Sequence, residues 1–236
     1  MITATDAFNI EEPAALLRRE GELRERLAAY FLSMPPLECQ NSAQRRRTRR
    51  ALSACWDLDT ASLLVYRAAG RPMLTGDLNR FLSATLRGAR TMLDGCLSIR
   101  LSLSPRPFPS VFQPRMTQLT LLALLRDACL AGAGTIHVSI QIAPHTLRLL
   151  CACDRTGGYP ASMELAKETA ARHRGAFLRP CGAADNVLFD PVSVSALSFP
   201  IGPTVSVSGF SFPSAEELLA NPLSPLYTGL YSVLEK

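Results

Sequence analysis

The chain has 236 residues and carries a formal net charge of +5 at pH 7. Hydrophobic residues make up 47% of it and charged residues 19%, which excludes an intrinsically disordered chain and favours a globular protein of one or two domains. No apolar stretch approaches the ~20 residues of a membrane-spanning helix, and the N-terminus has no basic region followed by an apolar one. We therefore expect a cytoplasmic protein without a membrane segment.

The beginning of the chain is helical in pattern. Over residues 14–34, apolar side chains recur at helical spacing with Arg and Glu between them, and Pro35-Pro36 ends this helix. A second helix is predicted over Glu38–Ala69.

A third helix is predicted over Leu78–Leu93, capped by Thr75 or Asp77. Long helices joined by short turns form a hairpin, which buries its apolar stripe poorly alone. Residues 1–95 are therefore predicted to form a helical dimerisation hairpin, with residues 14–95 building a homodimer of the four-helix-bundle kind.

The pattern changes period after residue 96. Leu97–Leu103 alternates apolar and polar residues, which is typical of a strand, and a proline-rich link, Pro105–Pro114, follows. The later predicted elements are helix Met116–Ala131, strands Ile136–Ile142 and Leu147–Cys153, helix Ser162–His173, strands Ala176–Arg179 and Val192–Phe199, and a short helix Ser214–Ala220. This order predicts an α+β sandwich over residues 97–200, followed by a C-terminal tail, 201–236.

The positive charge is concentrated in the first 110 residues, which carry 16 Arg and 11 acidic residues, whereas residues 111–236 carry nine of each sign. Much of the excess lies in Gln44–Arg50, QRRRTRR. Such a run binds phosphates or nucleic acid, or forms a solvated helix face. Because no aromatic residue interleaves with it, we favour the helix face and predict no nucleic-acid partner. The seven cysteines lack the paired spacing of a zinc or disulfide framework, so we interpret them as buried small hydrophobes.

The chemical motifs of the chain lie in Leu121–Gly158. The helix there carries Ala123-Leu124-Leu125-Arg126-Asp127-Ala128, and the second strand ends in Asp154-Arg155-Thr156-Gly157-Gly158. A carboxylate at position 127 suits a hard cation such as Mg²⁺. Two plainer interpretations stay open: Asp154 and the glycines also form an ordinary turn, and Asp127 is also an ordinary exposed helix residue.

With its helix, two-strand hairpin and Asp-Gly turn, this segment resembles the ATPase domain shared by histidine kinases, gyrase, Hsp90 and MutL, and specifically the histidine-kinase branch. The resemblance covers about residues 97–200. It implies a two-layer α/β sandwich after a dimerisation and phosphotransfer hairpin, with ATP and Mg²⁺ as cofactors. It also implies that Arg126, Asp127, Asp154 and Gly158 lie at the nucleotide, Asp127 as the metal ligand and Asp154 as acceptor for the adenine amino group.

Several positions depart from the family pattern. Ala123 and Asp127 stand where the family has asparagines, Thr156 stands where it has the first glycine, and Pro180–Asp190 contains no Gly-x-Gly lid. The three histidines, His137, His145 and His173, all follow the helical part, so the hairpin has no phosphoacceptor. We therefore predict no catalytic residue and no autophosphorylation.

These features favour a degenerate histidine-kinase-like protein of bacterial two-component signalling, a pseudokinase in which nucleotide binding would serve regulation. The alternative keeps the fold without the nucleotide. It is then a protein-interaction module that binds a response regulator or a partner kinase.

Overall fold

The chain forms two compact units, Met1–Ala51 and Leu52–Lys236. No described helix has both the length and the apolar character needed to span a lipid bilayer. The computed structural model describes residues 18, 21–22, 25–27, 29–31, 33–35, 39–65, 73–155, 160–179, 193–200 and 211–234.

Helix α1 spans Ser42–Val65 and begins after an asparagine cap. The Oδ1 atom of Asn41 accepts hydrogen bonds from the amides of Ala43 and Gln44 at 3.1 and 2.9 Å, and the Gln44 side chain accepts one from the amide of Asn41 at 2.9 Å. This reciprocal cap explains why the helix starts at Ser42 and not at the predicted Glu38. Its predicted end, residues 66–69, lies outside the described residues.

The helix predicted over residues 14–34 lies largely outside the described residues. The described positions 18, 21–22, 25–27 and 29–31 are helical. The segment after it is tied to α1 within the first unit, since Gln40 donates to the carbonyl of Pro35 at 2.9 Å and accepts from Thr48 at 2.8 Å.

Helix α2 spans Leu78–Met92, close to its predicted bounds, and Asp77 caps it by accepting from the amide of Arg80 at 3.1 Å. Its apolar stripe is buried within the second unit, where Leu78 and Leu82 are fully covered and α2 packs against three later helices. The apolar stripe of α2 is therefore buried against helices of the same chain. This differs from the predicted hairpin, in which residues up to 95 were to form a separate dimerisation domain.

Within the described residues, seven strands form two sheets. The larger sheet has the order β2-β4-β5-β7-β6, in which β2 and β4 are parallel and the other neighbours antiparallel. A separate antiparallel pair, β1-β3, was not predicted. The strands are β1 Leu74–Asp77, β2 Ser98–Ser102, β3 Pro109–Phe112, β4 Thr135–Ala143, β5 Thr146–Cys153, β6 Ala176–Leu178 and β7 Ser193–Pro200.

Helices cover one face of the larger sheet. Helix α3, Pro114–Leu130, and helix α4, Pro160–Arg172, contact each other, and α4 lies against β6 and β7. Alternate residues of the strands, such as Val138, Leu149 and Leu197, are buried in the same apolar core as the helices. Each fully buried side chain of this kind contributes about 1.5–3 kcal/mol. The α+β, two-layer class predicted from the sequence matches this arrangement.

The C-terminal segment is part of that core and not a separate tail. Helix α5, Ala215–Ala220, packs on α2, and helix α6, Pro225–Leu230, packs on α2 and α3, followed by a 3-10 turn, Tyr231–Val233. Leu218, Leu226 and Leu230 belong to the main apolar cluster.

The prediction that the cysteines are buried small hydrophobes holds for Cys151 and Cys153 and is wrong for Cys39 and Cys96, which are exposed. Cys96 lies in the turn after α2, where its Sγ atom donates to the carbonyl of Leu234 at 3.2 Å. Turns lie at the surface because their backbone groups need water or local partners, so a cysteine there is exposed. Cys181 lies outside the described residues.

Candidate functional site

The candidate site lies between α3 and the sheet, where the motif residues come together. Helix α3 starts at Pro114, and Gln113 caps it by accepting from the amide of Met116 at 2.6 Å. A proline in the first turn loses no helical hydrogen bond, so this start is locally favoured. Leu121 and Leu125 are fully buried, and they fix the rotation of the helix against the sheet.

Asp127 is buried on this helix, with 5% of its surface exposed. Its Oδ1 atom accepts a hydrogen bond from the hydroxyl of Ser162 at 2.9 Å, which links α3 to the first turn of α4. The plainer interpretation of Asp127 as an exposed helix residue is therefore wrong. A buried carboxylate requires such partners, because its desolvation costs free energy that hydrogen bonds must offset.

Asp154 follows the last residue of β5, as predicted, but its carboxylate is bonded within the chain. It accepts from the amide of Gly134 at 3.2 Å with both oxygens, and from the amide of Thr135 at 3.0 Å. Gly134 is the last residue of the loop between α3 and β4, and Thr135 is the first residue of β4. The carboxylate therefore ties the beginning of β4 to the end of β5, with the Cα pair Ile136 and Cys153 directly beyond it.

Arg126 has different neighbours. Its guanidinium donates to the carbonyl of Gly229 at 2.8 Å and to the hydroxyl of Ser232, and it stacks over the ring of Trp56 with 5.7 Å to the ring centroid. It does not line the cavity beside Asp127. The structure thus brings Asp127 and Asp154 to one end of α3 and the sheet, and directs Arg126 to α6. Gly158 lies outside the described residues.

The cavity beside Asp127 has a volume of about 20 Å³. That is room for about one water molecule, since a water needs at least about 10–15 Å³ and small-molecule sites measure about 300–1,000 Å³. The lining includes Asp127 from α3, Ile136, Cys151 and Cys153 from β4 and β5, Arg155 after β5, and Ser195 from β7.

Two cysteine side chains line this cavity. Burial, with a smaller contribution from the neighbouring Cys153, raises the pKa of Cys151 to about 12. Burial also raises the pKa of Cys153, while hydrogen bonds from backbone amides oppose that shift. Both side chains are therefore neutral hydrophobes at physiological pH.

The described residues of this site do not fit Mg²⁺ and ATP. Among the described residues, no group of three or more His, Cys, Asp or Glu side chains is arranged to hold a metal ion. Asp127 contributes one carboxylate, already bonded to Ser162. The carboxylate that would receive the adenine amino group is bonded to the amides of Gly134 and Thr135, and the adjoining cavity admits only water.

The three histidines lie elsewhere, and none of them lines the cavity. The ring of His137 lies 2.8 Å from the hydroxyl of Ser102 on the neighbouring strand β2. His145 is exposed in the turn between β4 and β5, and His173 is buried at the end of α4.

The sequence did not reveal the partners of the two carboxylates. Ser162 lies 35 positions after Asp127, and Gly134 lies 20 positions before Asp154. For the contact between Gly134 and Asp154, the sequence offered one signal, the run Gly132-Ala133-Gly134 before a strand. This run indicates a tight turn but does not indicate what the turn contacts.

Comparison with solved structures finds similar chains among the sensor histidine kinases. The structure matches catalytic and ATP-binding domains of that class over 56–81% of the chain, at low sequence identity. No family model matches the sequence, and no curated protein matches it.

Three solved structures illustrate the similarity. The histidine kinase AdeS of Acinetobacter baumannii is 14% identical, with 81% of this chain and 95% of that chain covered and a TM-score of 0.49. The mycobacterial sensor histidine kinase MprB is 16% identical, with coverages of 56% and 99% and a TM-score of 0.43. The ATP-binding domain of PrrB from Mycobacterium tuberculosis is 16% identical, with coverages of 56% and 98% and a TM-score of 0.45. Similarity at these values carries no argument about function, which therefore rests on the chain's own residues.

Proposed function

We propose that this chain is a histidine-kinase-like protein of bacterial two-component signalling whose nucleotide site is closed. It acts in the cytoplasm by binding a response regulator or a partner kinase, and it needs no nucleotide to do so. The observation that carries the proposal is the cavity of about 20 Å³ between Asp127 and the thiols of β5. Nucleotides are an order of magnitude larger than a cavity of that size.

Two further observations support it. The Asp154 carboxylate is bonded to the amides of Gly134 and Thr135, which makes it a structural group of the α3–β4 loop. The chain has no histidine before His137, so the helical part offers no phosphoacceptor. The same proposal includes a homodimer through the first unit, Met1–Ala51, because the apolar stripe of α2 and the side chains of Trp56 and Leu63 on α1 are buried in the core of the second unit.

A second candidate is a regulatory nucleotide-binding protein. It is favoured by the fact that Asp127 and Asp154 both lie at the same end of α3 and the sheet, at the motif positions that the family resemblance assigns to the nucleotide. In that case Asp127, Asp154 and Gly158 hold Mg²⁺ and ATP or ADP after the cavity has opened, with Arg126 outside the site.

Isothermal titration calorimetry with Mg·ATP and Mg·ADP distinguishes the two. We expect no binding heat up to nucleotide concentrations of about 1 mM, which corresponds to a binding free energy weaker than about −4 kcal/mol. Saturable binding at that concentration, abolished by Asp154→Ala in a folded protein, would establish the second candidate instead.

The free energy of unfolding of Asp154→Ala tests the structural role of the carboxylate. If the carboxylate is structural, the variant loses about 1–3 kcal/mol of unfolding free energy, because two amides lose their acceptor. Asp154→Asn keeps one carbonyl oxygen and is expected to lose less. Glu164→Ala, which removes an exposed carboxylate on α4, is the matched control.

The interaction role is tested by calorimetry in the absence of nucleotide. Purified response regulators from the source bacterium are titrated into this protein, and their binding is measured. We expect one of them to bind with a Kd that Mg·ATP leaves unchanged. Failure of every response regulator and partner kinase to bind would contradict the interaction role.

A further inference from the structure

A second and much larger cavity lies on the other side of α2 from the apolar core. It is a groove of about 470 Å³ between α2, the loop 104–107 and the segment 212–216. The side chains that matter below are Arg80, Ala84 and Arg87 on the helix wall, and Pro105, Phe212 and Glu216 opposite. Its volume lies in the range of small-molecule sites, about 300–1,000 Å³. It shares no residue with the cavity beside Asp127.

The walls of the groove are held in place by hydrogen bonds of buried groups. Asn79, with 5% of its surface exposed, donates to the carbonyl of Ser104 at 2.9 Å and to that of Arg106 at 2.6 Å. Asp77 accepts from the amide of Phe108 at 3.0 Å as well as capping α2. The loop is therefore fixed against the helix, and a ligand would not have to order it on binding.

The opposite wall is fixed by aromatic packing. The ring of Phe212 lies 5.0 Å from that of Phe81 and 5.3 Å from that of Phe112, measured between centroids. Phe212 is half-buried, so part of its ring faces the groove together with Pro105 and Pro213. This side offers a rigid apolar surface.

Two arginines on the helix wall supply the positive charge of the groove. Arg80 and Arg87 are seven positions apart on α2 and thus share one face, about 10 Å apart along the axis. Glu216 lies opposite Arg87; hydrogen bonds from its own amide and from the side chain of Ser214 lower its pKa, and Arg87 lowers it further. The carboxylate of Asp77 is bonded to backbone amides. Within the described residues, Arg80 makes no ion pair.

We propose that this groove binds a small organic anion, with its acidic group on the guanidinium of Arg80 and its apolar body between Ala84 and Phe212. Guanidinium binds carboxylate and phosphate oxygens in a two-point arrangement, which gives both charge and orientation. The flat, rigid apolar wall suits an aromatic or alicyclic body. This site is independent of the closed cavity beside Asp127 and of the partner proposed above.

The test is a titration of the isotopically labelled full chain, followed by backbone and arginine side-chain NMR shifts. The probes are benzoate, phenyl phosphate and neutral benzyl alcohol, each to about 10 mM. We expect the two anions to shift the signals of Arg80, Ala84 and Phe212 and to leave Asp127 and Asp154 unmoved. Comparison of the two anions distinguishes a carboxylate from a phosphate ligand.

Two variants probe the two parts of the contact. Arg80→Gln should raise the Kd of the anions about 10-fold, the loss expected for one charged hydrogen-bonded contact, while Arg90→Gln on the same helix outside the groove should not change it. Ala84→Leu should abolish binding by filling the groove without altering a charge. Thermal unfolding confirms that each variant is folded.

Four results would overturn the proposal: no binding of either anion, equal binding of benzyl alcohol, shifts centred outside the groove, or equal effects of Arg80→Gln and Arg90→Gln. Arg80 is exposed, so its replacement is not expected to prevent folding.

Discussion

The backbone amide of Gln113 donates a hydrogen bond to Nε2 of His173 over 3.0 Å. Because Nε2 accepts, the ring proton is on Nδ1, which lies 2.6 Å from the carbonyl oxygen of Thr169. Burial lowers the pKa of His173; the hydrogen bond to Thr169 opposes this shift, and the nearby Arg172 adds to it. A neutral imidazole thus joins the end of α4 to the cap of α3.

This contact predicts a pH dependence of stability. Above about pH 6.5 the ring is neutral in both the folded and unfolded chain, and its contribution is complete. As the pH falls below that value, the unfolded chain takes up the proton first, so stability declines until the lowered folded-state pKa is passed. Urea unfolding at about pH 8 and about pH 5 measures the decline.

His173→Gln is expected to remove that part of the pH dependence and to lose about 1–3 kcal/mol at about pH 8, because buried partners lose their bonds. The matched control is His145→Gln, which removes an exposed histidine. An unchanged pH slope in His173→Gln would contradict the assignment.

Gly175 approaches the neighbouring strand too closely for a side chain. A Cβ atom at this position would lie 1.8 Å from the carbonyl oxygen of Ser198. We expect Gly175→Ala to destabilise the protein by about 3 kcal/mol or more, because β6 must move away from β7. Chemical denaturation gives the value, and Gly21→Ala is the control, since a Cβ there meets nothing within 4 Å. Similar stability of the two variants would refute the close approach.

The cysteines should separate into two classes in alkylation. In the folded protein at about neutral pH, iodoacetamide should label the exposed Cys39 and Cys96 and leave Cys151 unlabelled, because burial raises the Cys151 pKa to about 12 and only the thiolate reacts. Peptide mass spectrometry before and after denaturation reads this out. Labelling of Cys151 at the rate of Cys96 in the native state would show that the cavity is open to reagents.

Arg126 is expected to stabilise the fold and not a ligand. Arg126→Met removes its bonds to Gly229 and Ser232 and its stacking on Trp56, and should cost about 2–3 kcal/mol. Arg90→Met, on an exposed part of α2, should change stability by less than about 0.5 kcal/mol. Equal unfolding midpoints of the two variants would show that the C-terminal contact contributes nothing.

The longer elements could be predicted because their patterns are long enough to be periodic. Helix α2 and the strands β4 and β5 lie close to their predicted bounds. The two short strands β1 and β3 could not be predicted from the sequence. Strand β1, LTGD, contains glycine and aspartate, and strand β3, PSVF, begins with proline, and these residues are rare in strands. Helix α6 has six residues, too few for a helical period, although Ser224-Pro225 is a typical helix start.

The site was predictable in position and not in its contacts. Asp127 on a helix and Asp154 at a strand end follow from local pattern. What each carboxylate bonds depends on the pairing of β4 with β5 and on the placement of α4, which bring together residues distant in the chain. The position of α2 was predictable in the same way, but its contacts were not, because its apolar stripe fits either a dimer interface or the core of its own unit.

The bonds of Asp154 couple its carboxylate to the folding of the chain. Replacing Thr156 by glycine or Asp127 by asparagine would give the residues of the family that the sequence resembles, yet the carboxylate would still be bonded to Gly134 and Thr135. A substitution that freed it would loosen the start of β4 at the same time. A variant in which the Asp154 carboxylate is available to a ligand is therefore expected to be less stable than the parent chain.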